Sequence, residues 1–174
     1  TSSWRCEIAS RADLPDIRAT YEHARATQRE RSAIAWPEFA ADAILREIEE
    51  QRLFRVLIDD TLAGVFSVAY DDPAIWGAHE RGQHLYLHRI ARAAACPSRG
   101  LVDAVLLWAS EQCRALGRAG LRMDTWASNA ALIEFYRRRG FHLVEERRLG
   151  ADPRLPPHYH GNVFALLERN GMGL

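Results

Sequence analysis

The chain has 174 residues, with 23 acidic and 23 basic side chains and no net charge when its histidines are neutral. That length fits one domain able to build its own core, and the neutral balance excludes a nucleic-acid partner held by bulk electrostatics. Every basic side chain is Arg rather than Lys, which excludes a lysine Schiff base and a Walker-type phosphate lysine.

Residues 4–9 alternate weakly and predict a first strand. Asp13 is placed to cap a helix running to about residue 30, with Leu14, Ile17, Tyr21 and Ala24 on one face. Pro37 suits the first turn of a second helix over 37–51, with Phe39, Ala43, Ile44 and Ile48 inward. Residues 54–58 and 62–70 read as strands joined by a tight hairpin at Asp59-Asp60-Thr61. Residues 71–82 read as a polar loop containing Pro73, Ile75 and Trp76. A strand over 84–92 leads through a small-residue turn into a helix over 100–116, with Leu101, Ala104, Val105 and Trp108 on one stripe and Gly117 and Gly120 beyond its end. A strand over 121–126 precedes a short helix that Asn129 opens and Gly140 stops. Strands over 141–147 and 162–168 flank a Pro-rich loop at 152–158. The order β, α, α, β, β, β, α, β, α, β, β predicts an α/β (α+β) fold, a mixed sheet with helices packed on it, in one domain over 1–174.

Cys6, Cys96 and Cys113 are far apart and form no metal-type spacing, so no metal is expected and a reducing, cytoplasmic setting is. No apolar run approaches the roughly 18 residues of a membrane span. Neither a membrane nor a nucleic acid is expected as a partner, and a homodimer is left open.

Two constellations carry chemistry. In the first, the strand ending at Ile90-Ala91-Arg92 enters the turn Ala93-Ala94-Ala95-Cys96-Pro97-Ser98-Arg99-Gly100 and then a helix at Leu101-Val102. The first amides of a helix have no acceptor within it and can bind a phosphate, although such a turn also serves as a plain connector. In the second, Leu132, Phe135 and Tyr136 share a face of the Asn129 helix. On this helix alone they read as core.

With the strand Arg122-Met123-Asp124-Thr125-Trp126 between them, these constellations resemble the GNAT acetyl-coenzyme A acetyltransferase superfamily, clearly over 50–147 and best from Asp124 to Phe141. The resemblance implies a single-domain fold with a mixed, mostly antiparallel central sheet flanked by helices. It also implies acetyl-coenzyme A (acetyl-CoA) as co-substrate and a primary amine, here a small molecule, as acceptor. Protein or peptide amines, and a non-catalytic acyl-coenzyme A binding module, are the alternatives. Backbone groups of Ile90, Ala91 and Arg92 would then hold the pantetheine arm, those of Ser98, Arg99, Gly100, Leu101 and Val102 the pyrophosphate, and Asn129 the pantetheine from its other side. Pro97 and Val102 depart from the usual phosphate-loop pattern. Tyr136 would donate a proton to the departing sulfur, with Asp124 or His88 as base. Asp124 otherwise reads as a strand-end carboxylate and His88 as a hydrogen-bonded core histidine. Tyr86 shares the His88 face and either lines the amine site or packs. Tyr21, Trp36 and Trp76 fall in regions that cover the acceptor in this family, and read equally as core. His158, Tyr159 and His160 are placed to line a substrate, and Arg137, Arg138 and Arg139 read as a solvated helix face.

Overall fold

In the computed structural model, which describes residues 1–31, 34–96 and 99–171, the chain pairs seven strands in the order β1-β2-β3-β4-β5-β7-β6. The sheet is mixed and mostly antiparallel, with β4 and β5 its parallel pair. The chain divides into two units, one made of 1–68 and 88–108, the other of 69–87 and 109–174.

In the first unit, β1 (Trp4–Ile8) and β3 (Thr61–Ala69) flank β2 (Leu53–Ile58), all antiparallel. Asp59 and Asp60 make the predicted hairpin with φ of 46° and 65°, the paired left-handed geometry that matches the twist of the strands it joins. The Ala93 amide donates to the Ala63 carbonyl at 2.8 Å and ties the end of β4 (His84–Arg92) to β3. α1 (Leu14–Glu30) follows a capping box in which Asp13 accepts from the Ser10 amide at 2.8 Å. It buries Ile17 and Tyr21, and α2 (Ala41–Glu49) buries Ile44 and Ile48, in one cluster with Leu53, Val65 and Ala91.

The second helix therefore starts at Ala41, not at Pro37. The segment before it stays extended at Ala40, which has ψ of 142°. Extension lets Trp36 and Phe39 both reach Tyr21, their ring centres 6.4 and 5.0 Å from its own. Packing of three aromatic rings outweighs the preference of Pro37 for a first helical turn.

In the second unit, β5 (Gly120–Trp126) pairs with β7 (Val163–Asn170) along its whole length, and β6 (His142–Arg148) lies outside β7. Between β4 and β5 the paired positions are His84 with Gly120, Leu85 with Leu121 and Tyr86 with Arg122. The segment read as a polar loop contains a helical turn, α3 (Pro73–Trp76), that buries Ile75 and Trp76. Asp72-Pro73 is the cap and first-turn pair that signals such a start. α4 (Leu101–Leu116) and α5 (Ala130–Arg137) complete the five α-helices among the described residues. None of these is long and apolar enough to cross a membrane.

The core of the second unit closes over a buried cation. Arg122 is 6% exposed. Its Nε donates to Glu168 at 2.7 Å, and Nη1 to the Tyr86 hydroxyl at 2.9 Å and the His79 carbonyl at 3.0 Å. The guanidinium lies 4.3 Å from the centre of the Trp76 ring. Burial alone pushes the Glu168 carboxyl up, but the Arg122 hydrogen bond and charge, His84 and Asn170 hold it below the usual range. Tyr86 in turn donates to Glu80. Tyr86 and Trp76 are thus core residues, which decides between the two readings that the sequence left for each.

Candidate active site

The first unit holds the cofactor segment that the sequence predicts. Ala91 is buried, and a Cβ on Gly64 would stand 2.4 Å from its carbonyl oxygen, so glycine alone lets β3 come this close. Arg89 has φ of 49° inside β4. A residue other than glycine held there costs about 1–3 kcal/mol, and like a bulge it re-aims the backbone that follows, here Ile90 to Arg92. Its side chain is anchored by a hydrogen bond to Glu47 and lies over two rings, 4.7 Å from the centre of Phe39 and 5.6 Å from that of Tyr21. His88 is half-buried, and its carbonyl accepts from the Ser67 hydroxyl at 3.4 Å.

The turn into α4 ends at Gly100, with φ of 104° and the Trp4 ring 2.8 Å from where a Cβ would be. The Ala104 amide donates to the Gly100 carbonyl at 3.0 Å as the first helical bond. The amides of Leu101 and Val102 stand in the first turn of α4, where the positive end of the helix dipole lies. Backbone donors and a cradle that only glycine fits suit a pyrophosphate. Leu101 is buried, Val102 half-buried and Arg99 exposed. Ser98 and Pro97 lie outside the described residues. Burial pushes the Cys96 thiol up, away from a reactive thiolate.

The second unit holds Asp124, Asn129 and Tyr136. Asn129 is the N-cap of α5, its Oδ1 accepting from the Leu132 amide at 3.2 Å. Gly140, with φ of 89°, ends the turn, and the Phe141 amide closes on the Tyr136 carbonyl at 3.1 Å. The Tyr136 ring sits edge-on to Phe135 and Phe141, with centres 5.3 and 5.6 Å away. Burial raises its phenol well above the ordinary tyrosine value, against a smaller opposite pull from Arg139. At neutral pH the phenol keeps its proton. Arg137 and Arg138 pair with Glu134 on an exposed face, while Arg139 lies 3.6 Å over the Phe135 ring.

Asp124 is half-buried on β5, and a carboxylate oxygen of Asp72 comes within 4.8 Å of its own. Asp72 was not singled out from the sequence, because its loop was read without a helix. Arg89 was also missed, since nothing in the strand pattern marks a left-handed residue. In the last loop His160 Nε2 contacts the carbonyls of Asp152 and Leu155 at 2.9 and 3.2 Å, a structural tie. The His158 ring lies 4.6 Å from that of Tyr159 and 6.5 Å from that of Trp126.

A model of the acetyltransferase (GNAT) family matches residues 16–141. An uncharacterised N-acetyltransferase of Bacillus subtilis (strain 168), YesJ, is 31% identical over 105 residues, and the match spans 58% of each chain. Among solved structures, a GNAT-family acetyltransferase from Listeria monocytogenes superposes with a TM-score of 0.77 at 19% identity, over 97% of this chain and 95% of that one. The ribosomal-protein-S18-alanine N-acetyltransferase of Escherichia coli does so at 0.66 and 18%, over 97% and 94%. YncA of Salmonella typhimurium, solved with its cofactor acetyl-CoA, does so at 0.65 and 16%, over 96% and 93%.

Proposed function

Because this chain belongs to the GNAT acetyltransferase family, we propose that it moves the acetyl group of acetyl-CoA onto a primary amine of a small molecule by direct attack. The observation that carries this reading is the span of the family match, 16–141, which takes in β4, the turn, α4, β5 and α5. Acetyl-CoA supplies the acyl group already activated as a thioester. In the net reaction the amine nitrogen gains the acetyl carbon, the carbon–sulfur bond breaks, and one proton passes from the amine to a base while another reaches the sulfur.

In the first unit, the backbone of Ile90, Ala91 and Arg92, redirected after Arg89, binds the pantetheine amides and polarises the carbonyl. Gly100, Leu101 and Val102 bind the pyrophosphate. In the second unit, the Nδ2 group of Asn129 holds the pantetheine arm and Tyr136 donates its proton to the sulfur. Asp124 takes the amine proton, and His88 is the rival base. A thiol with a pKa of about 8.5 leaves fairly well unaided, so Tyr136 assists rather than rescues.

A cleft of about 260 Å³ in the first unit has room for a small acceptor. Thiol release from acetyl-CoA across a panel of amines tests the reading. Tyr136→Phe should lower kcat by about ten- to a hundred-fold, at the low end for a positioned general acid. Unchanged single-turnover chemistry in that variant would remove Tyr136 from the role.

A further inference from the structure

The cleft in the first unit is lined by Arg18, Tyr21, Glu22 and Arg25 of α1 and by Glu38 and Phe39 of the segment before α2, among others. Its floor is aromatic and its rim carries charges of both signs. Arg18 faces Glu38 at 3.8 Å, with both side chains at least half exposed. Arg25 differs, with a side chain only 12% exposed. Its Nη2 donates to Glu22, while its Nε is buried with no hydrogen-bond partner among the described residues. Tyr21 is 3% exposed, and its hydroxyl is likewise buried without a partner.

Burial pushes the Tyr21 phenol up to about 12, so this hydroxyl carries its proton throughout the physiological range. Two buried donors thus stand four residues apart on α1, on one side of the helix, and both lack an acceptor among the described residues. Buried donors are nearly always satisfied, and a pair left open marks a missing group. An acceptor group entering the cleft that both residues line would complete them, and a guanidinium beside a phenol suits a carboxylate in geometry. A second contact connects this cleft with the cofactor strand. Tyr21 and Phe39 are the two rings beneath Arg89, the residue that precedes Ile90.

The geometry points to a specificity site for an amine that also carries a carboxylate, an amino-acid-like acceptor, with Tyr21 and Arg25 receiving that carboxylate. The inference rests on the acetyltransfer reading and supplies its substrate class.

The test uses glycine, leucine, phenylalanine and glutamate, each beside its own carboxamide, as acceptors with acetyl-CoA and as ligands in calorimetry without it. For at least one pair, kcat/KM and affinity should favour the free carboxylate by ten-fold or more. Tyr21→Phe, nearly isosteric and so safe for folding, should cut that preference several-fold. Arg25→Gln should bring it close to one, mainly through KM. Thiol release with no carboxylate preference in any pair overturns this inference and leaves the acetyltransfer reading in place. A calorimetric preference that both substitutions abolish, with no thiol release from any amine, overturns the acetyltransfer reading and leaves the carboxylate site. A preference that survives both substitutions overturns the assignment to Tyr21 and Arg25.

Discussion

Each unit buries an arginine and a tyrosine together, and the two pairs differ in whether the arginine Nε and the tyrosine hydroxyl have partners. In the second unit Arg122 has Glu168, the His79 carbonyl and the Tyr86 hydroxyl, and Tyr86 also has Glu80. In the first unit Arg25 Nε and the Tyr21 hydroxyl have nothing among the described residues. The composition is alike, with aromatic rings and carboxylates around both. The Arg122–Tyr86–Glu168 network joins β4, β5 and β7 and is scaffold, with the Trp76 indole N–H and His84 Nδ1 beside it buried without a partner among the described residues. An incomplete one is a cost that folding tolerates where a ligand completes it.

The largest effect that would break this comparison is on the Arg122 side. Arg122→Met should destabilise the protein by about 3–5 kcal/mol, because it strands a buried carboxylate. Glu168 would keep His84 and Asn170, at 3.2 and 2.9 Å, but no permanent cation. Denaturant unfolding with an unchanged m-value measures it. A loss under 1 kcal/mol would mean that Arg122 is replaceable packing.

Next in size is Tyr86→Phe. The hydroxyl bridges Arg122 and Glu80, so its removal leaves two charged groups each short of a partner, at about 1.5–3 kcal/mol. The same unfolding experiment reads it. Stability equal to that of the unsubstituted protein would place Tyr86 alongside Tyr21 and erase the contrast.

The sequence made some of this contrast legible and hid the rest for physical reasons. Elements whose pattern is local were read closely. The strand over 84–92 matches β4, the Asp59-Asp60 hairpin has the expected left-handed pair, and Asn129 caps α5. These depend on neighbours within a few residues. The start of α2 was misplaced because Trp36 and Phe39 answer to Tyr21, fifteen or more positions away, rather than to Pro37. The family resemblance proposed Asp124, Asn129 and Tyr136, and the structure adds that Asn129 spends its oxygen on the cap and that Tyr136 is buried with its proton held. Arg89 was beyond reach, since a left-handed residue in a strand leaves no mark on alternation. Arg25 was readable in principle, four residues after Tyr21, but only the missing partners give that spacing meaning.

The smallest effect is the most discriminating. Tyr21→Phe removes a hydroxyl that has no partner among the described residues, so stability should stay level or rise by up to about 1 kcal/mol, the opposite sign to Tyr86→Phe. Titration adds a second reading of the same side chain. Its folded value of about 12 stands above the ordinary value of 10, so the neutral phenol is favoured in the folded state. That stability is complete below pH 10 and is lost as the pH climbs toward 12, where the unfolded chain has released the proton and the folded one must follow. The unsubstituted protein should therefore lose more stability between pH 10 and pH 12 than Tyr21→Phe does, in chemical unfolding run at each pH. Parallel curves would mean that water already reaches the hydroxyl. An orphaned donor would then no longer set this cleft apart from the Arg122 network.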